Sequence, residues 1–192
     1  MSMNNSVKYD PALDWCTTWL QLRNEGKIVP FVPTNVQRDL MTSGPNHYEA
    51  KRRSGKSIGL VALALHQAIT RPGSRILVMG ACGDAVDYLR GLVNNLMVAS
   101  PDVHEYLTHS NKDYMRVQVG GCAPSQIDLV SAGNFKRTLG VTWTSMMADE
   151  VAWWDAGEYK ELLLQARISN ADLWCVTSSV QGELYREATS QR

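Results

Sequence analysis

A basic, glycine-containing octapeptide leads directly into an apolar, helix-forming stretch of the chain. It comprises Ala50, Lys51, Arg52, Arg53, Ser54, Gly55, Lys56 and Ser57, and SIGLVALALHQAIT runs on from Ser57. The spacing fits the phosphate-loop pattern G-x-x-x-x-G-K-[ST], with alanine in place of the first glycine. Such a loop surrounds phosphate oxygens with backbone N–H groups at a helix N-terminus. The pattern predicts an ATP site in which Lys56 contacts the β- and γ-phosphates and Ser57 holds Mg²⁺. A basic surface turn before a helix is the alternative.

Two adjacent carboxylates, Asp149 and Glu150, follow the β-prone stretch TWTSMMA. Carboxylates at the end of a buried strand suit the acidic motif of ATP hydrolases. There the first binds in the Mg²⁺ shell and the second orients and deprotonates the attacking water. An acidic pair by itself is also typical of an exposed surface. Together with the phosphate loop, the pair predicts a hydrolytic site.

Three hydroxyl residues, Thr177, Ser178 and Ser179, follow the apolar run LWCV. A strand that ends in hydroxyl groups beside a nucleotide is able to sense the γ-phosphate. Serine and threonine are also ordinary residues of polar turns, and that interpretation stays open for this segment.

Predicted strands and helices alternate along most of the chain. This alternation favours an α/β fold with a parallel sheet, crossover connections and flanking helices. With 192 residues, one domain is expected. We predict a helix over residues 11–24, closed by Gly26, within an N-terminal helical extension of residues 1–29. Residues 30–192 then form the ATPase domain.

Composition excludes several classes of protein. Lys+Arg and Asp+Glu both number 19, so the chain is neither histone-like nor an acidic disordered chain. The four cysteines are far apart and form no C-x-x-C pair, so we expect neither a zinc ribbon nor a redox motif. No apolar run reaches the roughly 18–20 residues of a membrane span, and the first residues do not form a secretory signal. We therefore expect no membrane association.

Taken together, these motifs resemble the ATPase domain of the large terminase subunit of tailed bacteriophages, over roughly residues 30–186. That family has arginines before GK[ST], matched here by Arg52 and Arg53, and an upstream glutamine after a proline-containing apolar stretch, matched by Gln37 in PFVPTNVQRDLM. The run Arg137-Thr138-Leu139-Gly140 before the acidic strand and the hydroxyl triplet Thr177–Ser179 look like two further motifs of the family. The predicted strand before Asp149 (the Walker B strand) is more polar than is usual in that family, because it contains Thr144 and Ser145.

The resemblance implies a P-loop NTPase of the RecA-like (ASCE) type that hydrolyses ATP to translocate double-stranded DNA into a procapsid. It implies that Gln37 contacts adenine and that Arg52, or else Arg53, acts in cis on the γ-phosphate. Arg116 and Arg137 are candidates for an arginine donated in trans within a homo-oligomeric ring. The expected partners are DNA, a portal protein and the small terminase subunit, in the host cell cytoplasm. The family's nuclease domain does not follow before Arg192, so no nuclease activity is expected.

Three other hypotheses for the function remain open. A RecA-like helicase or translocase also combines an upstream glutamine, a phosphate loop and an acidic pair, but it needs a second such domain. A catalytically weak assembly module would use the same fold only as a surface, which the intact Lys56, Ser57, Asp149 and Glu150 argue against. A small-molecule kinase usually lacks the acidic pair.

Overall fold

The structure, a computed structural model, describes residues 11–178. The helices are α1 Pro11–Trp19, α2 Asn35–Thr42, α3 Lys56–Thr70, α4 Gly83–Ala99, α5 Pro101–His104 and α6 Ala156–Ser169. The strands are β1 Gln21–Asn24, β2 Lys27–Pro30, β3 His47–Ala50, β4 Arg75–Gly80, β5 Leu107–Ser110, β6 Tyr114–Val117, β7 Ser125–Ser131, β8 Ser145–Ala148 and β9 Asp172–Ser178. Two 3₁₀ segments span Ala132–Thr138 and Val151–Trp153. None of the helices in the described range combines the length and apolar character that a bilayer crossing demands.

Seven strands form the main sheet, in the order β3-β9-β8-β4-β7-β6-β5. The first five are parallel neighbours, joined through helices as the alternating pattern predicted. The sheet is mostly parallel, and β5 and β6 add an antiparallel edge to it. The connections on either side of β6 are too short for a crossover helix, so the chain has to reverse between neighbouring strands. In one of these turns the Asn111 side chain accepts from the backbone N–H groups of Asp113 and Tyr114.

The sheet separates two apolar layers, and successive residues of a strand pack into these layers alternately. In β4, Ile76 and Val78 pack with α1 to α4, whereas Leu77 and Met79 pack with α6 and the 3₁₀ segments. Side chains alternate between the faces of a strand, so a strand covered on both sides reads as a continuous apolar run. Helix α3 lies within the first layer, and its residues from Gly59 to Ile69 are all buried. The apolar character of both elements is therefore explained by burial on all sides.

The N-terminal part of the described chain differs from the predicted helix over 11–24. Helix α1 ends at Trp19, and residues 21–30 form the β1–β2 hairpin. Glu25 and Gly26 form its two-residue turn with φ of 48° and 79°. A two-residue turn with both φ values positive matches the right-handed twist of a hairpin, and glycine favours it. Gly26 therefore turns the hairpin instead of closing a helix, and residues 11–29 are only partly helical.

Candidate nucleotide site

The basic octapeptide connects β3 to α3, as a phosphate loop requires. Ala50 is the last residue of β3, and Lys56 and Ser57 begin α3. The loop turns sharply, because Arg53 and Gly55 both have left-handed backbones, with φ of 61° and 86°. This conformation is strained for arginine and free of strain for glycine.

Strand order brings the three sequence motifs together. Strand β9 lies between β3 and β8, so the carboxyl ends of all three are adjacent. Ala50 pairs with Ser178, and Ala148, directly before Asp149, pairs with Cys175. The crevice at the carboxyl ends of parallel strands is the usual ligand position in such sheets.

Lys56 is buried at 4% exposure and directs its ammonium group at the ends of two strands. Its Nζ donates to the carbonyl oxygens of Ala50 (3.3 Å) and Lys51 (3.1 Å) and to Ser178 Oγ (3.4 Å). The carboxylate of Glu150 lies 3.7 Å away. A buried ammonium among oxygen atoms is a strong electrostatic partner for phosphate.

Ser57 and Asp149 form the part of the site that suits a divalent cation. Ser57 Oγ donates to Asp149 Oδ2 at 2.7 Å, and Oδ1 of the same buried carboxylate has no hydrogen-bond partner within residues 11–178. Burial raises the pKa of Asp149 to about 6; the Ser57 hydrogen bond opposes this shift and the charge of Glu150 adds to it. A hydroxyl and a carboxylate with a free oxygen are hard donors of the kind that Mg²⁺ prefers. These two residues therefore fit the expected ion.

Glu150 is held by the end of β9. Its Oε2 accepts from the backbone N–H of Ser178 at 3.0 Å, and its Oε1 accepts from Ser178 Oγ at 2.6 Å. Its backbone is left-handed, with φ of 51°, an uncommon conformation that tends to occur at functional sites. The contact joins the acidic pair to the hydroxyl motif directly.

The two described residues of the hydroxyl motif differ in their contacts. Thr177 and Ser178 are both 2% exposed, and Thr177 Oγ1 has no hydrogen-bond partner in the described part of the chain. Ser179 lies outside the described residues. Ser178 thus contacts both Lys56 and Glu150, while Thr177 is a buried neighbour.

The arginines occupy two different regions. Arg52 and Arg53 are exposed on the phosphate loop. Arg116 lies on β6, where its Nε donates to Gln126 Oε1 at 2.9 Å. Two strands, β4 and β7, lie between β6 and β8 in the sheet. Arg137 is exposed in the 3₁₀ segment after β7. The structure therefore places the first two on the phosphate loop and Arg116 and Arg137 on other elements, and the role of the latter two in trans stays a prediction.

Gln37 lies against the phosphate loop from the first turn of α2. Its Nε2 donates to the carbonyl oxygen of Gly55 at 3.0 Å, and its Oε1 accepts from the backbone N–H of Thr34 at 2.7 Å. Both ends of the amide are thus bonded within the chain. Thr34, which the sequence analysis did not single out, caps α2 and also contacts the loop. The spacing T-x-x-Q before a helix is a capping-box signal that points to this residue.

Trp154 is a second supporting residue that sequence reasoning did not assign to the site. Its Nε1 donates to the backbone carbonyl of Asp149 at 3.1 Å, and the side chain is buried. This bond fixes the backbone at the point where β8 ends and the acidic pair begins. Within the described range, no cluster of three or more histidine, cysteine or acidic side chains is placed to hold a metal ion.

Comparisons with known proteins bear on the fold. No protein-family model and no curated protein matches the sequence. Among solved structures, the large terminase ATPase domain of Thermus phage P74-26 matches with a TM-score of 0.64 at 17% identity, over 77% of this chain and 65% of that one. The large terminase of bacteriophage HK97 matches with a TM-score of 0.68 at 14% identity, over 89% of this chain and 37% of that one.

A helicase shares the same architecture. The UvsW helicase of bacteriophage T4 matches with a TM-score of 0.59 at 13% identity, over 92% of this chain and 63% of that one. A further large terminase, from a thermophilic bacteriophage and solved in complex with ADP, has a TM-score of 0.56 at 15% identity, over 75% of this chain and 38% of that one. The chain thus spans less than two thirds of each of these proteins. Its fold is the P-loop NTPase fold of phage large terminase ATPase domains, a mostly parallel sheet flanked by helices, which the phage helicase shares.

Proposed function

We propose that this chain binds ATP with Mg²⁺ and hydrolyses it as the ATPase domain of a viral DNA-packaging motor. The observation that carries the proposal is the convergence of Lys56, Ser57, Asp149, Glu150 and Ser178 at the adjoining ends of β3, β8 and β9. A buried ammonium, a hydroxyl–carboxylate pair and a second carboxylate are the groups that hydrolysis of a nucleoside triphosphate requires. The ADP complex of a structurally similar terminase supports a nucleotide ligand.

Each residue has a separate part in the proposed reaction. Lys56 binds the β- and γ-phosphates, and Ser57 and Asp149 hold the ion, which neutralises charge on the phosphate oxygens when bound. Glu150 positions water and accepts its proton. Exposed Arg52, in preference to Arg53, offsets charge on the γ-phosphate from within the same chain.

Ser178 provides the link between hydrolysis and movement. It bonds both carboxylate oxygens of Glu150, and in the proposed cycle Glu150 turns from Ser178 towards water beside the γ-phosphate. Loss of the γ-phosphate would allow this contact to form again. The exchange shifts the end of β9, and in the proposed motor Thr177, Ser178 and Ser179 transmit that shift to the DNA-gripping surface.

The packaging role extends the proposal to partners. It assigns double-stranded DNA as the translocated substrate, with a portal protein, a small terminase subunit and a homo-oligomeric ring in which Arg116 or Arg137 reaches a neighbour's site. Support comes from the terminase domains among the similar structures and from the paired arginines of the loop. The likeness to UvsW favours a helicase or translocase as the second candidate.

Steady-state ATP hydrolysis with and without DNA tests the proposal. We expect Glu150→Gln to retain ATP binding and to lower kcat by about 10²–10⁴-fold, the range for loss of a general base. Lys56→Ala is expected to lose ATP binding, and Arg52→Ala to lower kcat more than Arg53→Ala. Glu161→Gln on α6, which removes the same charge away from the site, should match wild type. Failure of wild type to bind ATP would refute the site itself.

A strand-separation assay distinguishes the two candidate functions. A packaging motor should show ATPase activity that responds to double-stranded DNA without separating its strands. ATP-dependent separation of a labelled duplex would instead favour the helicase. Slow turnover that rises with protein concentration would indicate a site completed by a neighbouring copy.

A further inference from the structure

The indole of Trp154 closes a short loop around the start of the acidic pair. Strand β8 ends at Ala148, and the 3₁₀ segment Val151–Trp153 lies between the acidic pair and Trp154. Trp154 Nε1 donates to the carbonyl oxygen of Asp149 at 3.1 Å, and both residues are buried. The N–H of Asp149 donates to the carbonyl oxygen of Met79 in β4 at 2.9 Å. The backbone of Asp149 is therefore held by β4 on one side and by the indole on the other.

Two hydrogen bonds fix the peptide groups on either side of the Glu150 Cα atom. The Asp149 carbonyl, which accepts from the Trp154 indole, belongs to the peptide group before Glu150. The Glu150 carbonyl, which accepts from the Trp153 N–H at 3.0 Å, belongs to the peptide group after it. These two peptide planes set the φ and ψ of Glu150, which are left-handed at 51° and 47°. A residue with a side chain keeps this strained conformation only where its surroundings hold it.

The direction in which Glu150 projects depends on that backbone conformation. In the proposed reaction its carboxylate turns from Ser178 towards water, and both positions are reached from one Cα atom by rotation within the side chain. Relaxation to a right-handed or extended backbone would point Cβ elsewhere and remove the carboxylate from both positions. Asp149 has further contacts, since its N–H is bonded to β4 and its Oδ2 accepts from Ser57. Loss of the indole bond should therefore displace Glu150 more than the carboxylate of Asp149.

We propose that Trp154 is a positioning residue, whose indole N–H holds Glu150 in the backbone conformation from which its carboxylate reaches the attacking water. The inference rests on the proposed function, which gives Glu150 the part of general base. It makes hydrolysis depend on a buried indole that lies outside the three sequence motifs and acts through another residue. Loss of the indole N–H should lower turnover and leave ATP affinity unchanged, because Lys56 and the phosphate loop bind the triphosphate in the proposed site.

ATP hydrolysis and ATP binding, measured in Trp154→Phe and Trp143→Phe, test the proposal. Phenylalanine keeps an aromatic ring and has no N–H to donate. Trp143 is the matched control, because it is buried in the same apolar layer and its Nε1 has no hydrogen-bond partner within residues 11–178. We expect Trp154→Phe to lower kcat by about tenfold, the order of one hydrogen bond, with an unchanged Kd for ATP. Trp143→Phe should leave both quantities at the wild-type values.

A double-mutant cycle with Glu150→Gln identifies the residue through which Trp154 acts. Once the general base is removed, adding Trp154→Phe should lower kcat no further, as expected for residues that act as a unit. A second loss of the same size in the Glu150→Gln background would show that Trp154 acts elsewhere and would overturn the inference.

The single variants provide further ways to refute the role of Trp154. An unchanged kcat in Trp154→Phe, equal losses of kcat in the two phenylalanine variants, or weaker ATP binding in Trp154→Phe would each contradict it. Failure of the proposed function gives a different result. Wild-type protein that binds ATP without hydrolysing it would refute the reaction together with the inference, and wild-type protein that does not bind ATP would refute the nucleotide site.

Discussion

Replacement of Asp149 by asparagine should change the stability of the ligand-free protein more favourably at neutral pH than at about pH 5, while removing a carboxylate that the proposed reaction needs. Asp149 is 5% exposed, and burial raises the pKa of its carboxyl to about 6. Asparagine has no charge to desolvate, and its carbonyl oxygen is still able to accept the hydrogen bond from Ser57. The variant therefore removes the cost of burying the charge and keeps the Ser57 contact. Its Nδ2 takes the place of Oδ1, which has no hydrogen-bond partner in the described residues, at a cost of about 1–3 kcal/mol that does not depend on pH.

The magnitude follows from the difference between the folded-state pKa and the ordinary value of 3.8. A difference of about 2 units corresponds to about 3 kcal/mol. Because the pKa is raised in the folded state, the folded protein holds this proton more tightly than the unfolded chain. The carboxyl thus supports the fold fully below about pH 4, and this support is lost as the pH rises through about 6. The full cost of burying the charged carboxylate is present at about pH 7.5, and roughly half of this cost is present at about pH 5.

Urea unfolding in EDTA, without nucleotide, measures the effect. Relative to wild type, Asp149→Asn should gain on the order of 1–2 kcal/mol in the free energy of unfolding between about pH 5 and about pH 7.5. Glu105→Gln removes an exposed carboxylate and should stay within about 0.5 kcal/mol of wild type at both pH values. An equal difference from wild type at both pH values would show that the charge of Asp149 is not the origin of the cost.

Two other predictions concern the loop and the thiols. Gly55→Ala should lower the melting temperature and triphosphate affinity by more than Gly44→Ala. Both glycines have positive φ, a backbone conformation that costs a residue with a side chain about 1–2 kcal/mol. Only a Cβ on Gly55 would meet Gln37. Equal effects of the two substitutions would therefore refute a role for that contact. In native protein a thiol reagent should label exposed Cys82 and spare Cys175, whose pKa is raised by burial, until denaturant is added; comparable native rates would contradict the burial of Cys175.

The sequence predicted those parts of the site that lie within single short segments. Each of the three motifs (the phosphate loop, the acidic pair and the hydroxyl triplet) consists of residues that are neighbours in the sequence. The end of the strand before each motif could therefore be predicted as well. The contact of Glu150 with Ser178 was not predictable in this way, because it depends on β8 and β9 being neighbours in the sheet. Strand order is set by packing across the whole domain, which local patterns do not encode.

The errors in the fold also have physical causes. The β1–β2 hairpin has strands of four residues, and Leu22 and Ile28 are among its few apolar side chains, so alternation gives little signal. Its Glu25-Gly26 turn resembles a helix end, because glycine serves in both settings. Strand β5 was missed for a related reason, since this short edge strand is mostly exposed and has no alternating pattern.

Helix α1 and the hairpin are synthesised before their packing partners, which come much later in the chain. Cys16 contacts the carbonyl of Ala62 in α3, and the backbone N–H groups of Gln21 and Arg23 donate to Ser100 and to Asn95 of α4. At about 5–20 residues per second, roughly 4–16 s separate the synthesis of Trp19 from that of Ala99, the last residue of α4. Throughout that interval the apolar side of the nascent α1 has no native surface to cover it, so this segment is a natural point for a chaperone to engage during translation.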